Sequence, residues 1–229
     1  MIYRALYSLS TIYEDYNNDL PKTHSESWLN KDFWRIFVKL LIQGTEHLRY
    51  TPGEICSTAS ANRINRDRTL RGRKASGSKM DGILAISKSR LELGAIEMGK
   101  NFEESTATKA LKDARKLGKV MKDMFDDIYL QCNSDADIME KLEVFGLLMS
   151  GPRVEILSLR YLKGRFFRLK RECSLTIPAE LMDDSIGEIM KTIVRFLKLR
   201  VRMEGMAKFV KHETSCDLAK LKEVMLETE

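Results

Sequence analysis

Asp81, Glu97 and Lys100 are the residues of this 229-residue chain whose types and spacing are best suited to chemistry. They stand in Lys79-Met-Asp-Gly-Ile-Leu-Ala-Ile-Ser and Leu91-Glu-Leu-Gly-Ala-Ile-Glu-Met-Gly-Lys100, two apolar runs on either side of a polar turn. That pattern predicts a β-hairpin with Ile83–Ile86 and Leu93–Ile96 as its strand cores. One acid opens the first strand, and an acid followed by a lysine closes the second. Two carboxylates and an amine at one end of a hairpin can hold a divalent cation, Mg²⁺ or Mn²⁺, and position a water. That is the equipment for metal-dependent cleavage of a phosphodiester.

A hairpin needs neighbours to fix it. Residues 1–26 are polar and tyrosine-rich and read as an N-terminal arm, followed by one domain over 27–211 and a short C-terminal helix over 212–229. Phe33, Trp34, Phe37, Val38, Leu40 and Leu41 recur at helical spacing and predict a core-packing helix that ends near Gly44. Thr51-Pro-Gly-Glu54 reads as a helix start. Small residues and then a basic run follow, with Arg71–Ser78 as a loop. A long helix beginning near Ser105 or Thr106 is predicted from Ala110, Leu111, Ala114, Leu117, Val120, Met121, Met124, Phe125 and Ile128. Its other face carries Lys109, Lys112, Lys116 and Lys119. Leu142–Met149, Val154–Leu162 and Phe166–Ile177 read as three strands. A long amphipathic helix from Asp183 towards Phe209 and a short one over Asp217–Leu226 complete the chain. The expected fold is α+β, an α/β-type sandwich with a central mixed sheet flanked by helices.

The chain is 43% apolar and 31% charged, the proportions of a soluble globular protein, and no apolar run approaches the ~20 residues that span a bilayer. The N-terminus lacks a basic start and a cleavage site, and Cys56, Cys132, Cys173 and Cys216 form no Cys-x-x-Cys pair. An intracellular protein, nuclear or cytoplasmic, with reduced thiols and no zinc site is expected. The net charge of +6 is unevenly spread, with ten Lys/Arg against five Asp/Glu in residues 51–100 and eleven against six in 151–200. Arg63, Arg66, Arg68, Arg71, Arg73, Lys74 and Lys79 crowd one short segment with a single acid, Asp67. A basic cluster alone is usually a solvated loop. Beside candidate metal ligands it points to a polyanion partner, DNA or RNA.

The order of helix, two strands, helix and further strands, with acids on the hairpin, resembles the core of the PD-(D/E)XK (restriction-endonuclease-like) nuclease superfamily over roughly Glu54 to Ile177. Arg73-Lys74, Asp81-Gly82, Glu97-Met-Gly-Lys100, Thr108-Lys109 and Asp113 are also similar to an expanded family of early-diverging fungi. The superfamily resemblance implies a restriction-endonuclease-like core with helical extensions and a metal site at the hairpin end. Asp81 and Glu97 would be the metal-binding acids, with Glu54 as an additional acid from a preceding helix.

The lysine departs from the pattern. Acid, one residue, lysine is required for both side chains to share a strand face, and Lys100 comes one residue late. A bulge at Gly99 could re-aim it, or Lys109 could supply the amine from the long helix. Lys100 is slightly preferred. The displaced lysine favours an inactive nuclease-fold protein that binds nucleic acid or another protein, whereas Asp81, Glu97 and the basic loop together favour an active nuclease. Glu97 itself, inside an apolar run, must be answered by a cation. Glu92 is expected to be exposed on the hairpin.

Overall fold

The computed structural model describes residues 1–16, 28–69, 72–99, 107–133, 135–164 and 166–226. Six strands form one sheet in chain order: β1 (Leu48–Cys56), β2 (Lys79–Ile86), β3 (Glu92–Gly99), β4 (Glu143–Ser150), β5 (Arg153–Lys163) and β6 (Phe166–Thr176). All neighbours are antiparallel except β3 and β4, which are parallel. A parallel pair cannot be closed by a tight turn, so the chain leaves β3 and returns through a crossover. The crossover holds α4 (Ala107–Gln131) and the short α5 (Ala136–Lys141). The result is the mixed sheet between helices that the sequence predicts.

Small residues let α4 lie close to the sheet. A β-carbon at Gly146 of β4 would stand 2.6 Å from Met121 Sδ, so any larger residue there would have to displace the Met121 and Leu117 side chains of α4. Leu117, Val120, Met121, Met124, Phe125 and Ile128 are all fully buried beneath this helix, the periodic stripe read from the sequence. α3 (Thr58–Asn65) packs beside α4. The opposite face of the sheet carries α2 (Arg35–Ile42), entered through a π-helical turn at Leu29–Trp34, and α6 (Asp183–Leu226). Phe33, Trp34 and Phe37 are buried there, Phe37 against Phe196 at 5.5 Å between ring centres. Trp34 Nε1 donates to Gly151 O at the β4–β5 turn, 2.9 Å away. The aromatic stripe is core, as its helical spacing predicts.

Four local expectations are corrected. Thr51-Pro-Gly-Glu54 is part of β1, not a helix. As an edge strand β1 tolerates Pro52, which has no amide to donate, and Gly53 takes φ +96° where the register with β2 shifts between Pro52 and Ile55. The N-terminal segment is not a loose arm up to Asp15: α1 (Ile2–Asp15) buries Ala5, Leu9 and Tyr13, a four-residue spacing hidden within a polar, tyrosine-rich composition. Tyr13 donates to Pro178 O at 2.5 Å, and burial pushes its phenol up to about 12. At the other end a single 44-residue helix replaces the two that were expected. After Pro178 the sequence holds no proline, so nothing breaks the helix between Phe209 and Asp217. Glu92 is buried rather than exposed: its carboxylate accepts from Ser57 Oγ (2.6 Å) and from the amides of Thr58 (2.7 Å) and Ala59 (3.3 Å), capping α3. The expected helix start at Ser105 or Thr106 lies outside the described residues.

α6 is tied to the sheet by charge as well as by Ile193, Phe196, Met203 and Val210. Glu143 of β4 is 3% exposed and accepts from Arg160 Nε (2.8 Å), Arg160 Nη2 (2.9 Å) and Arg202 Nη2 of α6 (2.5 Å). The arginines are partly exposed, so either can turn to water if the acid is removed, whereas the acid cannot. Replacing Arg160 and Arg202 together by Met should therefore destabilise the fold by about 3 kcal/mol by stranding a buried carboxylate. Glu143→Gln should cost about 1 kcal/mol. Urea unfolding of the two variants measures the asymmetry, and equal losses would contradict it.

Candidate active site at the open end of the β2–β3 hairpin

The β2–β3 ladder ends at Gly82 and Ile96. Beyond that pair, Asp81 replaces a backbone acceptor: its Oδ2 accepts from the Met98 amide at 2.7 Å. Alternation fixes the faces. Gly146 faces α4 and is paired with Ala95, so Glu97, two residues on, also faces α4, as does Asp81 across the hairpin. Asp81 and Glu97 are thus brought to one end and one face, the placement expected from the sequence.

Glu97 is 5% exposed. Both of its oxygens accept from Lys116 Nζ, at 2.6 and 2.9 Å. The answering cation therefore comes from α4, one helical turn below Lys112 and two below Lys109. Lys109 is exposed near the start of that helix, while Lys116 takes both Glu97 oxygens. Lys100 lies outside the described residues. Lys116 was visible in the sequence as one of four lysines on a helix face. Its separation from the others depends on how far α4 slides along the sheet, which the Gly146 contact sets.

One further group joins the site from α4, and another flanks it from the opposite face of the sheet. Asp113, one turn before Lys116, places Oδ2 3.9 Å from where a β-carbon of Gly99 would be. The phenol of Tyr50 on β1 crosses Gly82, where a β-carbon would sit 2.7 Å from Tyr50 Cε2, so any larger residue there would have to displace the Tyr50 ring. Tyr50 is pushed up by burial and by the Asp81 charge, with Arg35 of α2 opposing. For Glu97, burial is the largest influence and raises its carboxyl from 4.5 to about 7. Lys116 acts against the rise, and the Asp81 and Asp113 charges add to it. The hairpin end thus gathers negative charge around one amine, with a buried acid raised to about 7.

Among the described residues, the remaining sequence candidates do not join this cluster. Glu54 is on β1 rather than on a helix, has a side chain 73% exposed, and pairs with Lys79 at 3.2 Å. The helical position expected for it is corrected, because the edge strand and its bulge direct it to solvent. Arg63 pairs with Asp123 at 2.6 Å. Arg66, Arg68, Arg73 and Lys74 are exposed, and Arg71 lies outside the described residues. The segment is held to α3 by Asn65, which donates to Ala75 O (2.8 Å) and accepts from the Ala75 amide (2.9 Å).

Among the described residues no three His, Cys, Asp or Glu side chains stand together as a ready metal cage. The donor chemistry still suits Mg²⁺ or Mn²⁺, which take few carboxylates and keep their waters. Asp81 and Glu97 could each give an oxygen, and the surplus of negative charge around Glu97 is what a divalent cation would relieve. No helix among the described residues is long and apolar enough to cross a membrane.

The Glu97 shift has a sign that unfolding can read. Between its ordinary value of 4.5 and about 7, the folded chain holds a proton that the unfolded chain has released. Stability should therefore fall as pH rises through that window, by up to about 3 kcal/mol. Glu97→Gln should flatten this slope and be more stable than the parent at about pH 8. Denaturant titrations across the window test both statements, and a parent stability that climbs with pH would refute them.

Compared with known protein families, with curated proteins and with solved structures, the chain matches none.

Proposed function

We propose that this protein is a metal-dependent phosphodiesterase of the nuclease type, acting on DNA or RNA at the open end of the β2–β3 hairpin. The observation that carries this reading is the convergence of Asp81, Asp113 and Lys116 on the buried carboxylate of Glu97. Buried acids whose ordinary affinity for protons is this far displaced cluster at working sites. The element order α3, β2, β3, α4 and further strands is the one on which the superfamily resemblance of Asp81 and Glu97 rests.

A bound Mg²⁺ or Mn²⁺ would supply charge neutralisation on the phosphate and a water acidic enough to attack near neutral pH. The chain's own residues do the rest. Asp81, fixed through the Met98 amide, and Glu97, fixed through Lys116, present two carboxylates from facing strands. Lys116 is 38% exposed and reaches the site from a rigid helix. Once it gives up one Glu97 oxygen, its ammonium can hold an attacking water or the negative charge that grows on the phosphate. Lys116 thereby takes the role that the displaced Lys100 and the helical Lys109 were expected to fill.

A second reading has its own observation. Lys116 occupies both Glu97 oxygens, a closed ion pair that a protein using this fold only to bind nucleic acid or another protein would also keep. Incubating the purified protein with single- and double-stranded DNA and RNA in Mg²⁺ or Mn²⁺ separates the two. Under the first reading, cleavage appears with metal, Asp81→Asn, Glu97→Gln and Lys116→Met each reduce it by about 100-fold or more, and Lys109→Met and Glu54→Ala do not. Salt-sensitive binding without cleavage in either metal selects the second reading.

A further inference from the structure

The outer side of α4 carries a feature that the hairpin site does not use. A cleft of about 680 Å³ opens between α4, the end of α3 and β6. Arg63, Arg115, Lys119 and Lys122 line it, with Leu111 and Leu169. Both leucines are unusually open for such large apolar side chains, 62% and 47% exposed. Arg63 is engaged by Asp123, and Lys122 by Asp126 while lying over the Phe167 ring at 4.1 Å. Arg115 and Lys119 have no ion-pair partner among the described residues. The cleft therefore combines unneutralised positive charge with an exposed apolar lining.

Asp123 adds a third kind of group. Its side chain is 6% exposed and lines the same cleft, and its Oδ2 has no partner of hydrogen-bonding geometry. The Ser60 hydroxyl stands close enough to act on the Asp123 carboxyl and lower it, but its hydrogen bond of good geometry goes to Ser78 Oγ, 3.1 Å away. A buried acceptor without a donor is costly and calls for an explanation. A phosphate cannot supply the donor, because an ionised phosphodiester has none. A nucleobase edge can, through its N–H groups. Arg63, half exposed above Asp123, is the side chain that must swing aside to admit it.

We infer that this cleft binds a segment of single-stranded nucleic acid, with Arg115 and Lys119 on its phosphates, Leu111 and Leu169 against a base, and Asp123 accepting from that base. The inference rests on the nuclease reading for its biological sense and deepens it by naming the substrate form. A duplex would present phosphates to the cations, but its bases are stacked and paired and cannot enter. Arg115 is followed directly by Lys116, so α4 joins the cleft to the Glu97 site without a flexible segment between them.

Binding of short labelled oligonucleotides in EDTA tests the inference independently of cleavage. Arg115→Glu with Lys119→Glu should weaken single-strand binding about tenfold or more and make the log K against log salt slope shallower by about 1.4. The same charge change on α6, Lys191→Glu with Lys198→Glu, should leave binding unaltered. An abasic strand should bind the parent protein less tightly than a base-bearing one, and Asp123→Ala should remove the difference. Since Asp123 is buried and its loss could unfold the chain, Leu111→Glu, on the surface, provides a second variant and should weaken the base-bearing strand. Unchanged binding in the Arg115/Lys119 variant, equal affinity for duplex, equal affinity of the parent for abasic strand, or full competition by poly-glutamate would each overturn the inference. Hydrolysis of a small phosphodiester by the parent protein with Mn²⁺ reads the Asp81–Glu97 site on its own. Its absence would count against the nuclease reading while leaving the strand-binding result intact.

Discussion

A carboxylate buried on a β-sheet face has to be answered, and the position of α4 follows from how Glu97 is answered. Its charge is taken out of water by β2, β4 and the helix above, at a cost that only a close cation can offset. Lys116 can reach it because α4 lies low over Gly146, and Asp113 comes with it because the two are one helical turn apart. The hairpin and the crossover helix are therefore parts of one electrostatic arrangement. A small slide of α4 would leave a buried acid facing leucines.

The same solution recurs elsewhere in the sheet. Glu92 caps α3, Glu143 holds Arg160 and Arg202, and Glu155, two strands from Glu97 on the α4 face, pairs with Arg153 at 3.0 Å and Arg171 at 2.9 Å. In the Glu143 and Glu155 pairs the cations are two arginines, whose planar forks hold a carboxylate in fixed geometry. Glu97 alone has a single flexible amine and two further acids nearby. That difference separates a site poised to exchange its partner from pairs that hold the structure together.

Much of this was legible in the sequence. Ile83–Ile86 and Leu93–Ile96 are continuous apolar runs on either side of a polar turn, enough to fix the hairpin, and Asp81 and Glu97 come together because a hairpin brings its open ends together whatever else the chain does. The α4 stripe was equally plain, being long and strictly periodic. What escaped depended on distance in the chain. β1 was hidden by Pro52 and Gly53, residues that argue against a strand unless the strand is an edge. α1 was hidden because three buried residues among tyrosines look polar on average. Glu92 looked exposed because its partner, the start of α3, lies more than thirty residues upstream. Lys116 was one lysine of four, and only the packing of Met121 and Leu117 on Gly146 selects it.

The parallel pairing of β3 with β4 also bears on how the molecule assembles. The β2–β3, β4–β5 and β5–β6 pairs are hairpins whose local contacts close quickly, while β1–β2 spans α3 and β3–β4 the longer α4 crossover. The β3–β4 contact must wait until the α4 crossover has formed and folded back, which costs loop-closure entropy before any pairing repays it. Asp81 and Glu97 can thus meet in an early hairpin whose far edge is still wet, with Glu97 hydrated and charged. Lys116 reaches them only when the crossover docks. Burial of the acid and arrival of its amine are then a single event, so the site is completed when α4 docks and is lost when α4 lifts.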